Sequence, residues 1–365
     1  MKIPLNIITI VGARPQFIKA SIVSKAFKAH SDIKEIIVHT GQHYDFNMSD
    51  VFFNEFKIDN VKYNLGIGGG SHGQNTGRMI ERVEDILIKE KPNGVLVYGD
   101  TDSTLAGALS AAKLNMPVFH VEAGLRSYNK RMPEEINRVL TDHSSDLLFT
   151  PCSNATKTLL KEGIEKTKIF EVGDVMYDLF LEAKKNYKLF KKHSTAQTNI
   201  KNNYILLTLH RQENVDDYLK LKELFKVLNK LKYEIIWPIH PRTNSIISNN
   251  NITLPKNVKT ISPVGYYGMM NLQKNAKIIL TDSGGVQKEA FFNKVPCITL
   301  RKETEWVELV EAGVNILTGI DKRKIFDALN SFNEFSFPQK NQNFYGNGKA
   351  SQNIAKIIKS FLELR

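Results

Sequence analysis

Thr281-Asp282-Ser283-Gly284-Gly285-Val286-Gln287-Lys288-Glu289 follows the largely apolar run Ala276–Leu280. An apolar run that closes on Ser-Gly-Gly and reopens in a helical pattern reads as a buried strand, a tight turn and a helix start. Backbone N–H groups at a helix start have no partner inside the helix and point beyond the sheet edge. Glycines there leave no side chain in the way of a close approach. That geometry suits a phosphate or diphosphate. Glu289, about a turn and a half into the helix, is placed for a sugar hydroxyl. The plainer reading is an ordinary strand–helix turn capped by Ser283 or Asp282.

Strand and helix patterns alternate outward from this turn over the whole 365 residues. Apolar strand candidates are Asn6–Val11, Glu35–His39, Gly94–Tyr98, Val118–Val121, Leu147–Thr150 and a short Lys168–Val172. A second series is Tyr204–Leu209, Glu234–Ile239, Val258–Ile261, Lys277–Thr281 and Cys297–Leu300. Amphipathic helix candidates such as Ile18–Ala29, Gly77–Lys89, Thr104–Leu114 and Leu219–Leu231 separate them. Strands apolar on both faces and joined by helices form parallel sheets. The pattern predicts an α/β chain of two Rossmann-like doubly wound domains, 1–173 and 174–348. A C-terminal helix at 349–365 carries Ile354, Ile357, Ile358, Phe361 and Leu362 on one face and is expected to pack back on the first domain. Ligands of such sheets bind beyond the carboxyl ends of the strands.

Composition narrows the partners. With 42% hydrophobic residues the chain can build two cores, and no apolar run approaches the ~20 residues of a membrane span. Met1-Lys2-Ile3-Pro4 leads directly into a strand pattern, so a cytoplasmic protein is expected. Cys152 and Cys297 sit beside apolar segments outside any CxxC pattern and read as core thiols. The formal net charge is +12, from 50 basic and 38 acidic residues, and the excess is mostly scattered lysine. In the densest stretch, Lys184–Lys201, Tyr187 and Phe190 read as a helix face rather than as base-stacking platforms. No nucleic-acid partner is expected, although such a field would steer an anionic small substrate.

Further loops at strand ends carry candidate chemistry. In Gly12-Ala13-Arg14-Pro15, Pro15 opens a helix, with Arg14 in the turn and Lys19 one turn on. Cations at a helix N-terminus oppose its dipole unless an anion joins them. Asp100 stands at a strand tip in Gly99-Asp100-Thr101-Asp102-Ser103-Thr104, where Asp102 or Ser103 would cap a helix beginning near Thr104. Glu122 leaves a buried strand in His120-Val121-Glu122-Ala123-Gly124-Leu125-Arg126. A carboxylate there serves as a general acid or base, or pairs structurally with Arg126. Pro133 begins a helix on which Glu134, Asn137 and Arg138 share a face and Glu135 points elsewhere. His210 and Arg211 follow the Tyr204–Leu209 strand, His240-Pro241-Arg242 repeats the pattern one strand later, and Arg301 follows Cys297–Leu300. The histidines lack metal-ligand spacing, so no metal site is expected.

Taken together these loops resemble the non-hydrolysing UDP-N-acetylglucosamine 2-epimerases. The matching stretches are GARPQFIK, TGQHYD, GDTDSTLAGA, HVEAGLRS, PEEINR, TLHRQEN and TDSGGVQKEA, in the family's order from Gly12 onward. The resemblance implies glycosyltransferase-B architecture with an interdomain cleft, no cofactor, a UDP-sugar substrate and a homodimer. It implies that C2 is inverted by eliminating UDP across C1–C2 to a 2-acetamidoglucal and adding it back, in surface-polysaccharide precursor synthesis. It assigns Asp100, Glu122 and Glu134 as catalytic carboxylates and His210 as the active-site histidine. It gives Arg14, Lys19, Arg138, Arg211, Ser283, Gly284, Gly285, Glu289 and Arg301 to substrate binding. Gln42 and His43 match an allosteric UDP-sugar site. The base-reading loop corresponds to Pro263–Met269.

This sequence departs from the family pattern at Thr304-Glu305-Trp306-Val307-Glu308, where an indole replaces a cation, and at Val264 and Met269. Those departures keep modified UDP-sugars open as substrates, such as a 2,3-diacetamido uronic acid or a 2-acetamido-deoxy sugar. Gly66–Gly70 and His72-Gly73-Gln74 are further candidates for shaping the sugar or allosteric region. A glycosyltransferase of the same architecture and a non-catalytic nucleotide-sugar-binding or nucleic-acid-binding protein are the rival readings.

Overall fold

The structure, a computed structural model, describes residues 4–42, 61–185, 203–333, 335–338 and 343–365. His43, Tyr187 and Phe190 lie outside the described residues. The described strands are β1 (Leu5–Val11), β2 (Ile33–His39), β3 (Val61–Asn64), β4 (Gly94–Tyr98), β5 (Val118–Val121), β6 (Leu147–Thr150) and β7 (Ile169–Glu171), then β8 (Tyr204–Thr208), β9 (Ile235–Pro238), β10 (Val258–Ile261), β11 (Ala276–Thr281), β12 (Cys297–Thr299) and β13 (Asn315–Leu317). They form two sheets, ordered β3-β2-β1-β4-β5-β6-β7 and β10-β9-β8-β11-β12-β13. Neighbouring strands run parallel in both. This is the two-sheet, doubly wound α/β class that the alternating pattern predicts.

Contacts divide the chain into two compact units, Met1–Glu182 with Asn343–Arg365, and Ala183–Gln342. The division falls inside the Val175–Lys185 helix. Asp178 on that helix explains its place in the first unit. Its carboxylate accepts from Ala350 N at 3.1 Å and from Ser351 N and Oγ at 2.7 Å each, capping the Ala350–Glu363 helix. Ile354, Ala355, Ile358 and Leu362 of that helix are buried, and Lys359 pairs with Asp32 at 2.6 Å.

Both faces of each sheet are covered, which is why the strands read as continuous apolar runs. In β8, Ile205 and Leu207 enter one core layer while Tyr204 and Leu206 enter the other. The alternation follows the two-residue strand period, and each such side chain contributes about 1.5–3 kcal/mol. Two strands were not expected from sequence. β3 is an edge strand whose residues alternate between half-buried and exposed. β13 is a three-residue edge strand. The His72–Glu90 helix starts before Gly77 because Ser71 and Gln74 form a reciprocal capping box. The helix after Gly99 is capped by Thr101, which accepts from Thr104 N, and not by Asp102 or Ser103.

Cys152 and Cys297 are both buried, and burial pushes the Cys297 thiol up to about 12. Glu35 on β2 accepts from Thr9 Oγ1 at 2.5 Å. Burial pushes its carboxyl above the ordinary value, and hydrogen bonding and the Lys28 charge offset only part of that. The penalty on the folded state therefore grows as pH rises past the unfolded value and vanishes below it. Glu35→Gln, which still accepts from Thr9, is expected to raise the melting temperature at pH 7. The gain should shrink as pH falls towards about 4. An equal gain at both pH values, read by thermal denaturation, contradicts this assignment.

Candidate active site

In the first sheet the strand order reverses between β1 and β4, and in the second between β8 and β11. A crevice opens beyond the carboxyl ends at such a switch point. The loops flanking the first are Gly12–Arg14 and Gly99–Asp100. Those flanking the second are Leu209–Arg211 and Asp282–Gly285. All were singled out from sequence.

Gln16 ties the first pair together. Its Oε1 accepts from Gly12 N at 2.8 Å and Ala13 N at 3.0 Å, and its Nε2 donates to Tyr98 O and Thr104 Oγ1, both at 2.9 Å. Gly12 is required by contact: a Cβ there would stand 2.0 Å from Ser103 Oγ and 2.2 Å from Thr40 Oγ1. Ser103 N and Oγ donate to Gln42 Oε1 at 3.2 and 2.7 Å. Arg14 is the first residue of the Arg14–Lys28 helix, ahead of Pro15, and is half-buried.

Lys19 lies one turn on, buried, with Nζ 2.6 Å from Glu122 Oε2. The anion that relieves a cation near this helix start is thus Glu122 from the end of β5. Glu122 is held at φ +70°, which costs an L-residue roughly 1–2 kcal/mol. The alternative Glu122–Arg126 pair is not made. Arg126 turns to Asp142 at 2.7 Å and to Glu162 at 2.7 and 2.9 Å.

Asp100 meets Arg138 from the Pro133–His143 helix. Arg138 Nε and Nη2 donate to Asp100 Oδ2 at 3.0 and 2.6 Å, and Nη1 donates to Glu135 Oε2 at 2.7 Å. Glu135 therefore does not point away from this face. It is buried and also accepts from Ser127 N and Tyr128 N at 2.8 Å each. The i, i+3 spacing of Glu135 and Arg138 carried that signal. Asn137 Nδ2 donates to Asp100 O and Asp102 Oδ1, and His72 Nδ1 lies 2.9 Å from Asp102 Oδ2. Glu134 occupies the first turn of the same helix, half-buried.

At the second switch point Asp282 is the anchor. It is fully buried and accepts from His210 N, Arg211 N at 2.9 Å and Asn214 Nδ2 at 3.2 Å. Its Oδ1 lies 3.0 Å from His210 Nδ1. Burial pushes its carboxyl up, but His210 and these donors outweigh that and hold it below the usual carboxylate range. The pairing fixes the His210 ring and leaves Nε2 as the nitrogen available for chemistry, with half the side chain exposed.

The Gly284–Phe292 helix follows directly. Ser283 sits at its N-cap but makes no side-chain cap bond, and Asp282 is turned to the 210–211 loop. Neither expected cap residue caps the helix. A Cβ on Gly285 would meet nothing within 4 Å, and one on Gly284 would make ordinary contact with Trp306 Nε1 at 3.5 Å. Glu289 accepts from Gln273 Nε2 at 2.5 Å. Arg301 is buried with both terminal nitrogens on Glu305, at 3.0 and 3.1 Å. The Trp306 indole is buried under Lys288, whose Nζ lies 4.0 Å from a ring centroid. Val264, and Met269 on the Tyr266–Asn275 helix, pack against the core layer that holds Leu272 and Val286. His240 caps the Pro241–Asn249 helix by accepting from Arg242 N.

A family model described as UDP-N-acetylglucosamine 2-epimerase matches residues 25–359. The chain is 51% identical to a UDP-N-acetylglucosamine 2-epimerase homolog of Methanococcus maripaludis, over 98% of this chain and 100% of that one. It is 48% identical to a UDP-2,3-diacetamido-2,3-dideoxy-D-glucuronate 2-epimerase of Pseudomonas aeruginosa, over 97% and 99%. A crystal structure of Methanocaldococcus jannaschii UDP-GlcNAc 2-epimerase in complex with UDP-GlcNAc and UDP superposes with a TM-score of 0.90 at 45% identity, covering 98% and 100%.

Asp282→Ala would strip the partner from two loop N–H groups and from His210. The expected loss of unfolding free energy is roughly 1–3 kcal/mol, read by urea denaturation. A loss within experimental error would remove Asp282 as the anchor of the 210–211 loop.

Proposed function

The chain belongs to the UDP-N-acetylglucosamine 2-epimerase family, and we propose that it interconverts UDP-N-acetylglucosamine and UDP-N-acetylmannosamine. The observation that carries this reading is the pair of acids at neighbouring strand ends, Asp100 after β4 and Glu122 after β5, each against its own cation. Acid–base groups held in this way serve proton transfer at a carbon, which typically gains 10²–10⁴-fold from them.

In the proposed reaction a base takes the C2 proton, and the C1–O bond breaks with its electron pair going to UDP. The electrons of the C2–H bond form the C1=C2 double bond of a 2-acetamidoglucal. A proton then returns to the opposite face of C2, and UDP oxygen attacks C1. Atoms and electrons balance without a redox cofactor. Asp100, Glu122 and Glu134 are the acid–base groups, and Arg14, Lys19 and Arg138 hold them and the sugar. His210, oriented by Asp282, and Arg211 meet the diphosphate. The N–H groups of Ser283, Gly284 and Gly285 cradle it at a helix start whose own cap residues are turned elsewhere. Glu289 takes the ribose hydroxyls, and Arg301, braced by Glu305, lies beside them. The proposed assembly is a homodimer in the cytoplasm, with Gln42 as a contact for a second, regulatory UDP-sugar.

A second substrate is supported by the Pseudomonas relative, whose 48% identity exceeds the 45% of the Methanocaldococcus enzyme structure. Trp306 beside the Gly284 turn, together with Val264 and Met269, bears on this choice. Proton NMR of incubations with UDP-N-acetylglucosamine and with UDP-2,3-diacetamido-2,3-dideoxy-glucuronate separates the two. Appearance of the C2 epimer from the first alone supports the main reading, and from the second alone replaces it. Sugar transfer to an acceptor without epimer would indicate a glycosyltransferase.

Asp100→Asn and Glu122→Gln are expected to lower turnover by about 10²–10⁴-fold while UDP still binds. Unchanged rates would remove these carboxylates from the chemistry. Gly285→Ala tests the cradle separately. No contact or backbone angle of the fold requires that glycine, so the unfolding free energy should hold or rise by the helix propensity gain of ~0.5–1 kcal/mol, with the melting temperature following. UDP affinity, measured by calorimetry, should fall at least tenfold. Unaltered affinity argues that no diphosphate approaches this turn.

A further inference from the structure

His120 lies on β5 two residues before Glu122, with its side chain wholly inaccessible. Its Nε2 is 2.7 Å from Gly99 O and its Nδ1 is 2.7 Å from Asp142 Oδ1. A carbonyl oxygen can only accept, so Nε2 donates to it. Asp142 is fully buried; burial opposes its ionisation, but His120 and Arg126 outweigh that and hold its carboxyl below the usual range. Both ring nitrogens are thus engaged within the fold, and neither remains for substrate.

The two ends of this contact lie on different loops. Gly99, at φ +64°, is the residue before Asp100. On the other side Asp142 Oδ2 accepts from Gly124 N at 3.1 Å, two residues after Glu122. Gly124 is itself confined: it stands at φ +81°, and a Cβ would lie 2.4 Å from Ala155 O. Arg126 braces the arrangement from behind. It donates to Asp142 Oδ2 and Leu125 O at 2.7 Å each and forks onto Glu162. Glu162 also lies 3.3 Å from His143. Gly99 N donates to Val121 O at 2.9 Å, so the two loops are joined at their roots as well.

We propose that His120 and Asp142 form one buried clamp that sets the spacing between the Asp100 turn and the Glu122 turn, with His120 a positioning residue for proton transfer. The clamp explains how Glu122 is kept in a left-handed conformation that a free loop would abandon. It rests on the proposed function only in taking Asp100 and Glu122 as the reacting acids. A displacement of about 1 Å between such groups costs on the order of 100-fold in rate.

Two substitutions divide the clamp. In His120→Asn the amide reaches the Nδ1 position and keeps Asp142 but loses Gly99 O. In His120→Gln the amide reaches the Nε2 position and keeps a donor for Gly99 O. The expected result is a kcat about 100-fold lower for His120→Asn, with KM for the UDP-sugar within about threefold of wild type. His120→Gln should recover at least tenfold of that loss. Equal kcat for the two folded variants, or a His120→Asn kcat within a few-fold of wild type, overturns the clamp. Should His120→Asn not fold, the comparison is made between His120→Gln and Asp142→Asn, and a His120→Gln kcat about 100-fold below wild type overturns it. Amide hydrogen exchange at Gly99 and Asp100, the side that His120→Asn releases, reads the clamp without turnover. Faster exchange at both in His120→Asn, in a protein that epimerises no UDP-sugar, would retain the clamp and discard the proposed function. Unchanged exchange at both discards the clamp.

Discussion

A parallel strand that ends at a sheet edge leaves its next backbone groups without ladder partners, and these groups must be satisfied where the loops begin. This chain meets that constraint with buried side chains. Gln16 receives Gly12 and Ala13 and donates to Tyr98 O, joining the ends of β1 and β4. Asp142 receives Gly124 and, through His120, fixes Gly99. Asp282 receives His210 and Arg211 and joins the ends of β8 and β11. Each anchor sits at or beside a switch point, and the candidate functional residues stand on the loops so held.

The anchors also account for the electrostatics. Polar groups buried this deeply persist only when their hydrogen bonds are completed. Once completed, they can hold neighbouring residues in costly states. Glu122 at φ +70° is the clearest instance, with the clamp below it and Lys19 in front. His210 is held at Nδ1 by a carboxylate kept ionised in the core, so its outward nitrogen is oriented before any ligand arrives. Preorganisation of this kind lets a site stabilise developing charge without rearranging.

Most of the architecture was legible because buried parallel strands announce themselves as apolar runs. β4, β5, β6 and β10 begin and end at the residues the sequence predicts. β3 was not legible, since an edge strand with half-exposed residues carries no such run. The candidate acids were legible because a carboxylate at the end of an apolar run is unusual. Their anchors were not. Asp282 reads as a plain cap, and its partners lie about 70 positions away. Asp142 and His120 sit in separate elements, so nothing local pairs them. Glu135 differs, because its i, i+3 relation to Arg138 is present in the sequence itself.

In the proposed epimerisation a proton leaves C2 and returns from solvent-exchangeable groups of this chain. Incubation with UDP-N-acetylglucosamine in deuterium oxide, followed by mass spectrometry and proton NMR of the product, measures it directly. The expected product carries one deuterium at C2 of the epimer and none elsewhere on the sugar carbons. An epimer that retains protium at C2 would contradict it.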